Sequence, residues 1–313
     1  MWCMNYEGGI QRVLRTRHAS PRARGTAPLA AAAAPRGLVH STRCMPKRAR
    51  EMRLFCSVVI KYWKRAGRHE LPWRKTRDPY AILVSEMMLQ QTQVYRVIPF
   101  YTRFLARFPT AHVLAAAPLA EVLRFWNGLG YNRRAKFLHD AARAIVAQHD
   151  GTVPRGYAPL RALPGIGDYT AKAVRVFAFN EPEVLIETNV RAVFIHHFFP
   201  RSRSVPDAKL LPLIGATVAL LPRGTSARMW YAALMDYGTH LKATHSNPSR
   251  KSAHHVRQSK FAGSLREVRG EILRALLRGG DLALVGDRFP ERFAEAYTAL
   301  KREGLIAALH SGQ

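Results

Sequence analysis

From residue 54 to about residue 241, apolar residues recur at intervals of three and four, and short Pro/Gly breaks separate the periodic runs. That period is the mark of amphipathic helices, and alternating strand patterns are scarce. The spacing predicts helices over 80–91, 94–107, 119–126, 133–148, 170–177 and 190–198. Residues 242–260, KATHSNPSRKSAHHVRQSK, lack apolar periodicity and read as an exposed basic loop. Beyond them, apolar spacing at 269–277 and 292–303 and a short apolar end at 305–309 predict a small appended helical unit. The pattern is therefore all-α, with no internal repeat and no run near the roughly 18 apolar residues of a membrane span.

Residues 1–50 differ from everything after them. They carry ten Lys or Arg, one acidic residue (Glu7) and an Ala run from 30 to 34, with no repeat long enough to build a core. Three readings stand: an organelle transit peptide, a basic arm grazing a polyanion, or sequence upstream of a true start at Met45 or Met52, the last being favoured. The expected organisation is a leader over 1–50, a helical domain over 51–241, a basic loop over 242–262 and a small helical unit over 263–313.

Composition sharpens this picture. With 49 Lys plus Arg against 21 Asp plus Glu, the formal charge is +28 and the pI is near 11. Without the leader, 39 basic and 20 acidic residues remain, a net +19, so the charge belongs to the helical body as well. Such self-repulsion disfavours acidic scaffolds and most small-metabolite enzymes, and it favours a nucleic-acid partner over a merely basic soluble protein. The three cysteines, Cys3, Cys44 and Cys56, all lie in the first fifth of the chain. They offer neither a disulfide framework nor a downstream thiolate metal site, which fits a reducing compartment.

Three segments carry candidate chemistry. In LPGIGDYTAKAV (163–174), Gly165 and Gly167 flank an isoleucine just before a helix. Such a hairpin directs backbone N–H groups outward at a helix N-terminus and can hold a phosphate without side-chain charge, although many Gly-x-Gly turns only join two helices. A second glycine turn, NGLGYNRRAK (127–136), sets Tyr131 beside Arg133, Arg134 and Lys136, a stackable ring among phosphate-binding cations. In ILVSEMMLQQTQV (82–94), Glu86 stands in an apolar and amide-rich stretch. If the helix is packed, its carboxyl keeps its proton near neutral pH and can act as a general acid; if not, it is one residue of a solvated stripe. Gln90 and Gln91 can bond base edges or fill a gap in a base stack. In VLIETNVRAVFIHHF (184–198), Glu187 precedes a helix, as an N-cap or as a carboxylate facing a cleft. Two carboxylates 101 residues apart, one donating a proton and one holding negative charge, form the arrangement glycosyl-bond cleavage needs.

Together LPWRKTRDPYAILVSEMMLQQTQV, FPT, WNGLGYNRRAKFLHDAARAI, LPGIGDYTAKAVRVFAF, IETNVRAVF and MDYG, over roughly 55–240, resemble the helix-hairpin-helix DNA glycosylase superfamily, closest to the MutY-type adenine glycosylases. The resemblance implies two helical lobes formed by a split domain, with DNA bound across the cleft. It implies a base-excision enzyme acting on duplex DNA with a mismatched or damaged base; a monomer with no membrane partner is expected, cytoplasmic and nucleoid-associated if bacterial, with organelle targeting by the leader the other reading. Glu86 takes the role of protonating adenine, Glu187 that of stabilising the cationic sugar, and Tyr169 and Asn189 orient the site. Gln91 takes the position that wedges into the duplex, beside Gln90, and Tyr131 the one stacking near the opposing base. Arg133, Arg134, Gly165, Gly167, Lys172 and Arg191 fall in the DNA-contacting segments. Tyr169 stands where lyase-type relatives resembling endonuclease III carry a Schiff-base Lys, so a monofunctional hydrolase is expected.

Three departures qualify the resemblance. Glu187 replaces the usual Asp, adding a methylene. No cysteine follows MDYG, so the family's iron–sulfur cluster is expected to be absent, and no cofactor is expected. About 50 residues follow the basic loop, fewer than the family's Nudix-like C-terminal domain needs, so an 8-oxoguanine partner is not implied. Excision of mismatched thymine or uracil, or DNA binding by a chain whose cleavage site has drifted, are the alternatives.

Overall fold

The computed structural model describes residues 47–258 and 260–310; the leader, apart from its last four residues, lies outside them. The described residues are mostly helical, and their only strand-like feature is an isolated bridge between Val205 and Ser252. No helix among them is long and apolar enough to cross a membrane. In chain order the helices are α1 (Lys47–Ala66), α2 (Pro72–Lys75), α3 (Pro79–Leu89), α4 (Val94–Arg107), α5 (Ala111–Ala116), α6 (Leu119–Trp126), α7 (Arg133–His149) and α8 (Tyr157–Ala162). They continue with α9 (Asp168–Phe179), α10 (Thr188–Phe198), α11 (Asp207–Ala219), α12 (Ala227–Thr244), α13 (Leu265–Arg278), α14 (Leu282–Arg288), α15 (Pro290–Arg302) and α16 (Ala307–His310).

Two apolar cores define two lobes. One gathers α3 to α8 around Phe104, Phe108 and Trp126, and the other gathers α1 and α10 to α12 around Phe194, Trp230 and Tyr231. Helix α9 serves both: Ala171 and Val174 enter the first core, Ala173 and Val176 the second. Each pair is three residues apart and therefore on one helix face, so two faces of a single helix join the lobes. Trp126 and Trp230 are fully buried, as expected of core aromatics, whereas Trp73 and Phe177 are half-buried beside the cleft.

Helix α3 runs through the first core. Asp78 caps it by accepting from the backbone N–H groups of Tyr80 and Ala81, and Pro79 starts it. Every residue from Tyr80 to Met88 is buried, which is what a helix apolar on all sides requires. It stops at Leu89, two residues short of the predicted end, because Gln91 adopts a left-handed conformation (φ 54°).

The C-terminal region departs from the expected boundaries. Helix α13 starts at Leu265, four residues earlier than its spacing suggested, because Ser264 caps it. Its Val268, Ile272 and Leu273 join Leu300, Leu305 and Leu309 in the first core, so the unit is an extension of that lobe. The basic segment is also less exposed than predicted. Asn247 Oδ1 accepts from the N–H and hydroxyl of Ser249, and Ala253 and Val205 each bond across the bridge. These bonds satisfy the backbone and let Pro248, Ser249 and Ser252 be buried.

Candidate active site

A cleft cavity of about 1300 Å³ opens between the lobes. Glu86 reaches it from α3, a helix otherwise almost wholly apolar, and the residue is only 8% exposed. Burial, with a smaller contribution from the negative charge of Glu187, pushes the Glu86 carboxyl up to about 8. At neutral pH it holds its proton.

Glu187 enters from the other lobe, and both readings of its position hold at once. It caps α10, with Oε1 accepting from the N–H groups of Asn189 at 2.7 Å and Val190 at 2.8 Å, and it lines the same cavity as Glu86. The Asn189 side-chain amide donates to Oε2 at 3.1 Å. Burial raises the Glu187 carboxyl above its ordinary range, while the two amides, Lys242 and Arg191 oppose that rise by favouring the anion. Tyr169, from α9, is pushed well above its ordinary value, first by burial and then by the two carboxylates, and remains a neutral phenol.

Helix α12 completes the floor of the cavity. A Cβ on Gly238 would lie 2.4 Å from the Asn189 carbonyl oxygen, so glycine is what lets α12 cross α10 at that point. The crossing brings Thr239 and Lys242 to the cavity. On the same helix, two residues before Gly238, Asp236 is 3% exposed and accepts from Arg68 and bidentately from Arg74. Those donors hold its carboxyl below the ordinary range despite burial, and they lock α12 to the segment that leads into α3.

Of the sequence-predicted residues, Glu86, Glu187, Tyr169, Asn189, Gln90, Gln91 and Arg191 line this cavity. Arg191 is engaged by Asp207 through two bonds of 2.8 and 2.6 Å. Tyr131, Arg133, Arg134 and Gly165 line a second, adjacent pocket that also includes Gln90 and Gln91. Gly165 and Gly167 lie exposed on the predicted hairpin; Gly165 has φ 73°, and a Cβ there would lie 2.4 Å from the Cβ of Phe137. Gly167 and Lys172 line neither cavity, and Lys172 pairs with Asp168 one turn earlier.

Arg134 is a correction. It was expected to contact DNA, but it is 7% exposed and its guanidinium points inward. One nitrogen donates to the carbonyls of Met87, Met88 and Gln90, and the other donates to Gly130 and Thr92. The carbonyls of Met87, Met88 and Gln90 stand at the C-terminal end of α3, where a helix leaves its last carbonyls without partners, so Arg134 caps the helix carrying Glu86. Arg133, its exposed neighbour, lies over the Phe137 ring instead. Sequence reasoning missed Lys242, Thr239 and Gln258; Arg266, read from sequence as docking the tail or touching DNA, donates to the Tyr131 hydroxyl, as Gln258 does.

The residues present do not fit a four-thiolate cluster. The sequence has no cysteine after Cys56, and Cys56 is buried in the second core with its thiol pushed up to about 12 by burial. Among the described residues no three His, Cys, Asp or Glu side chains are grouped to hold a metal ion.

Comparison with known proteins gives this geometry its context. Residues 84–212 match the HhH-GPD superfamily of base excision DNA repair proteins. An adenine DNA glycosylase of Mycolicibacterium smegmatis is 39% identical over 237 residues, which cover 70% of this chain and 79% of that protein. The chain belongs to the HhH-GPD superfamily. An adenine DNA glycosylase of Mycobacterium tuberculosis is 41% identical over 178 residues, 56% of this chain and 58% of that protein. Among solved structures, a thermostable thymine-DNA glycosylase superposes with a TM-score of 0.55 at 26% identity, covering 65% of this chain and 93% of its own. The two-lobed helical architecture is thus the HhH-GPD fold, and DNA is its substrate.

Proposed function

We propose that this base-excision DNA glycosylase hydrolyses the N-glycosidic bond of a mismatched adenine as a monomer and without a cofactor. The observation that carries the reading is the Glu86 carboxyl, held protonated at about 8 inside the cleft and facing the same space as Glu187. A glycosidic bond inside a base stack is out of reach, so the nucleotide is turned out of the duplex and into the cleft. Glu86 donates its proton to a ring nitrogen of the base. The C1′–N bond breaks with its electrons going to the base, and the positive charge left on the sugar is stabilised by the Glu187 carboxylate. Water adds to C1′, and the proton it gives up restores Glu86. Tyr169 and Asn189 orient the reacting groups, and Tyr169, a neutral phenol, supplies no amine for a Schiff base.

A neutral acid suits a purine, whose ring nitrogens accept a proton as the bond breaks, whereas a thymine or uracil departs as an oxygen-stabilised anion. The adenine glycosylases at 39% and 41% identity support the same choice. The test is a panel of duplexes carrying adenine, thymine or uracil in mismatches, incubated with the protein and then treated with alkali. Strand scission at adenine alone is expected. Scission at the pyrimidines would overturn the adenine assignment, and binding without scission would overturn the enzymatic one.

A further inference from the structure

Helix α12 turns one face to the catalytic cavity: Ala232, Met235, Thr239 and Lys242, spaced three and four residues apart, all line it. Gly238 lets the helix lie against α10 at Asn189, and the Thr239 hydroxyl stands 3.4 Å from Asn189 Oδ1. Lys242 follows Thr239 by three residues, so the same face carries its amine into the space that Glu86, Tyr169 and Glu187 share.

Five cationic side chains line this cavity, and four of them are arginines. Asp236 holds Arg68 and Arg74, Asp207 holds Arg191, and the carbonyls of Phe177, Arg74 and Thr76 hold Arg228. A guanidinium stays charged and has no lone pair to offer a carbon centre. Lys242 is the one primary amine lining the cavity, and among the described residues it forms no hydrogen bond and no salt bridge. Burial holds its amine below the ordinary lysine range; the charge of Glu187 opposes that shift and the charge of Arg68 adds to it. Desolvation beside a second cation is how a lysine is made reactive toward carbonyl carbon, because more of it is the neutral nucleophile at neutral pH.

We propose that Lys242 gives this glycosylase a second activity on its own product: it condenses with the abasic sugar as an imine and cuts the strand by β-elimination. The proposal rests on the glycosylase reading for its substrate, whichever base is released. Base release itself stays hydrolytic, and the imine forms only afterwards. The abasic product is a hemiacetal that opens to an aldehyde at C1′. The Lys242 nitrogen bonds to that carbon, and the carbonyl oxygen departs as water with one proton from the amine and one from the Glu86 carboxyl, leaving a protonated imine. The Glu187 carboxylate accepts a proton from C2′. The electrons of that C–H bond become a C2′–C3′ double bond, and the C3′–O bond breaks with its electrons on the departing phosphate. Water then hydrolyses the imine, which returns the Lys242 amine, releases an unsaturated aldehyde and gives a proton back to Glu86, while Glu187 returns its own to solvent. No oxidant or reductant enters.

The test uses the full chain and a duplex with a preformed abasic site, so its outcome does not depend on which base the protein releases. Sodium borohydride reduces an imine to a stable amine and fixes the protein to the DNA. The wild type is expected to give a covalent adduct that peptide mapping places on Lys242 and, without borohydride, to cut the strand with no alkali added. A tetrahydrofuran site, which has no aldehyde, should yield neither. Lys242→Arg keeps the cation and loses the nucleophile, so it should lose adduct and scission as fully as Lys242→Gln while still binding the tetrahydrofuran duplex. No adduct from the wild type, or an adduct mapped to another residue, would overturn the proposal with the glycosylase reading intact, and neither result depends on the variants folding. Activity lost in Lys242→Gln but kept in Lys242→Arg would overturn it in favour of a phosphate contact. A protein that traps the preformed site through Lys242 but releases no base from any mismatch would keep the Lys242 chemistry and defeat the glycosylase reading instead.

Discussion

Glu86 and Glu187 face one cavity but are placed there by opposite local physics. Glu86 is the single carboxyl in a buried run of nine residues, and burial pushes it up to about 8. Glu187 stands at a helix N-terminus, where two backbone amides, the Asn189 side chain and the charges of Lys242 and Arg191 favour its anion against burial. The lobe that surrounds a carboxyl with hydrocarbon supplies the acid, and the lobe that surrounds it with donors supplies the negative charge. The two carboxyls are coupled: the negative charge of Glu187 adds to burial in keeping Glu86 protonated.

The comparison breaks first at Glu86. Glu86→Gln removes the transferable proton and keeps the shape, so base release should fall by about 10²- to 10⁴-fold, the usual worth of a general acid, with DNA affinity nearly unchanged. Single-turnover kinetics and a binding titration measure the two separately, and normal release would refute the role. Glu187→Gln keeps the size and one acceptor but loses the charge. Release should fall by about 10²- to 10³-fold, and weakening of the α10 cap should cost about 1 kcal/mol in thermal or denaturant unfolding.

A further effect of Glu86→Gln has the opposite sign on stability. The folded Glu86 carboxyl lies above its unfolded value of 4.5, so its burial costs nothing below pH 4.5, and the cost grows as pH rises toward 8. Glu86→Gln should therefore melt higher than wild type at pH 7, by on the order of 3 kcal/mol at most, and the gap should shrink near pH 4. Two melting curves check this. Equal stability at both pH values would mean that the carboxyl is not held in an apolar site.

What could be read from sequence was local. The apolar run around Glu86, the glycine hairpin and the Glu187 cap are each specified within a dozen residues, and the helical period gave most element positions. What could not be read depended on direction or distance. The neighbours Arg133 and Arg134 looked alike in NGLGYNRRAK, but adjacent helix positions point about 100° apart, so one faces outward and the other caps α3 from within. Asp236 was visible in MDYG, yet its partners Arg68 and Arg74 lie 168 and 162 residues away, with no spacing signal to connect them. The docking of α13 onto the Tyr131 turn was hidden for the same reason. Its buried residues predict a helix but not the surface that receives it.

The most direct test of the division of labour between the carboxyls is the pH dependence of single-turnover adenine release. Release needs Glu86 protonated, so the rate should fall as pH rises through about 8, and Glu86→Gln should lose that alkaline limb along with most of the rate. A wild-type rate that stays level from pH 6 to beyond about pH 9 would contradict a protonated Glu86 as the acid.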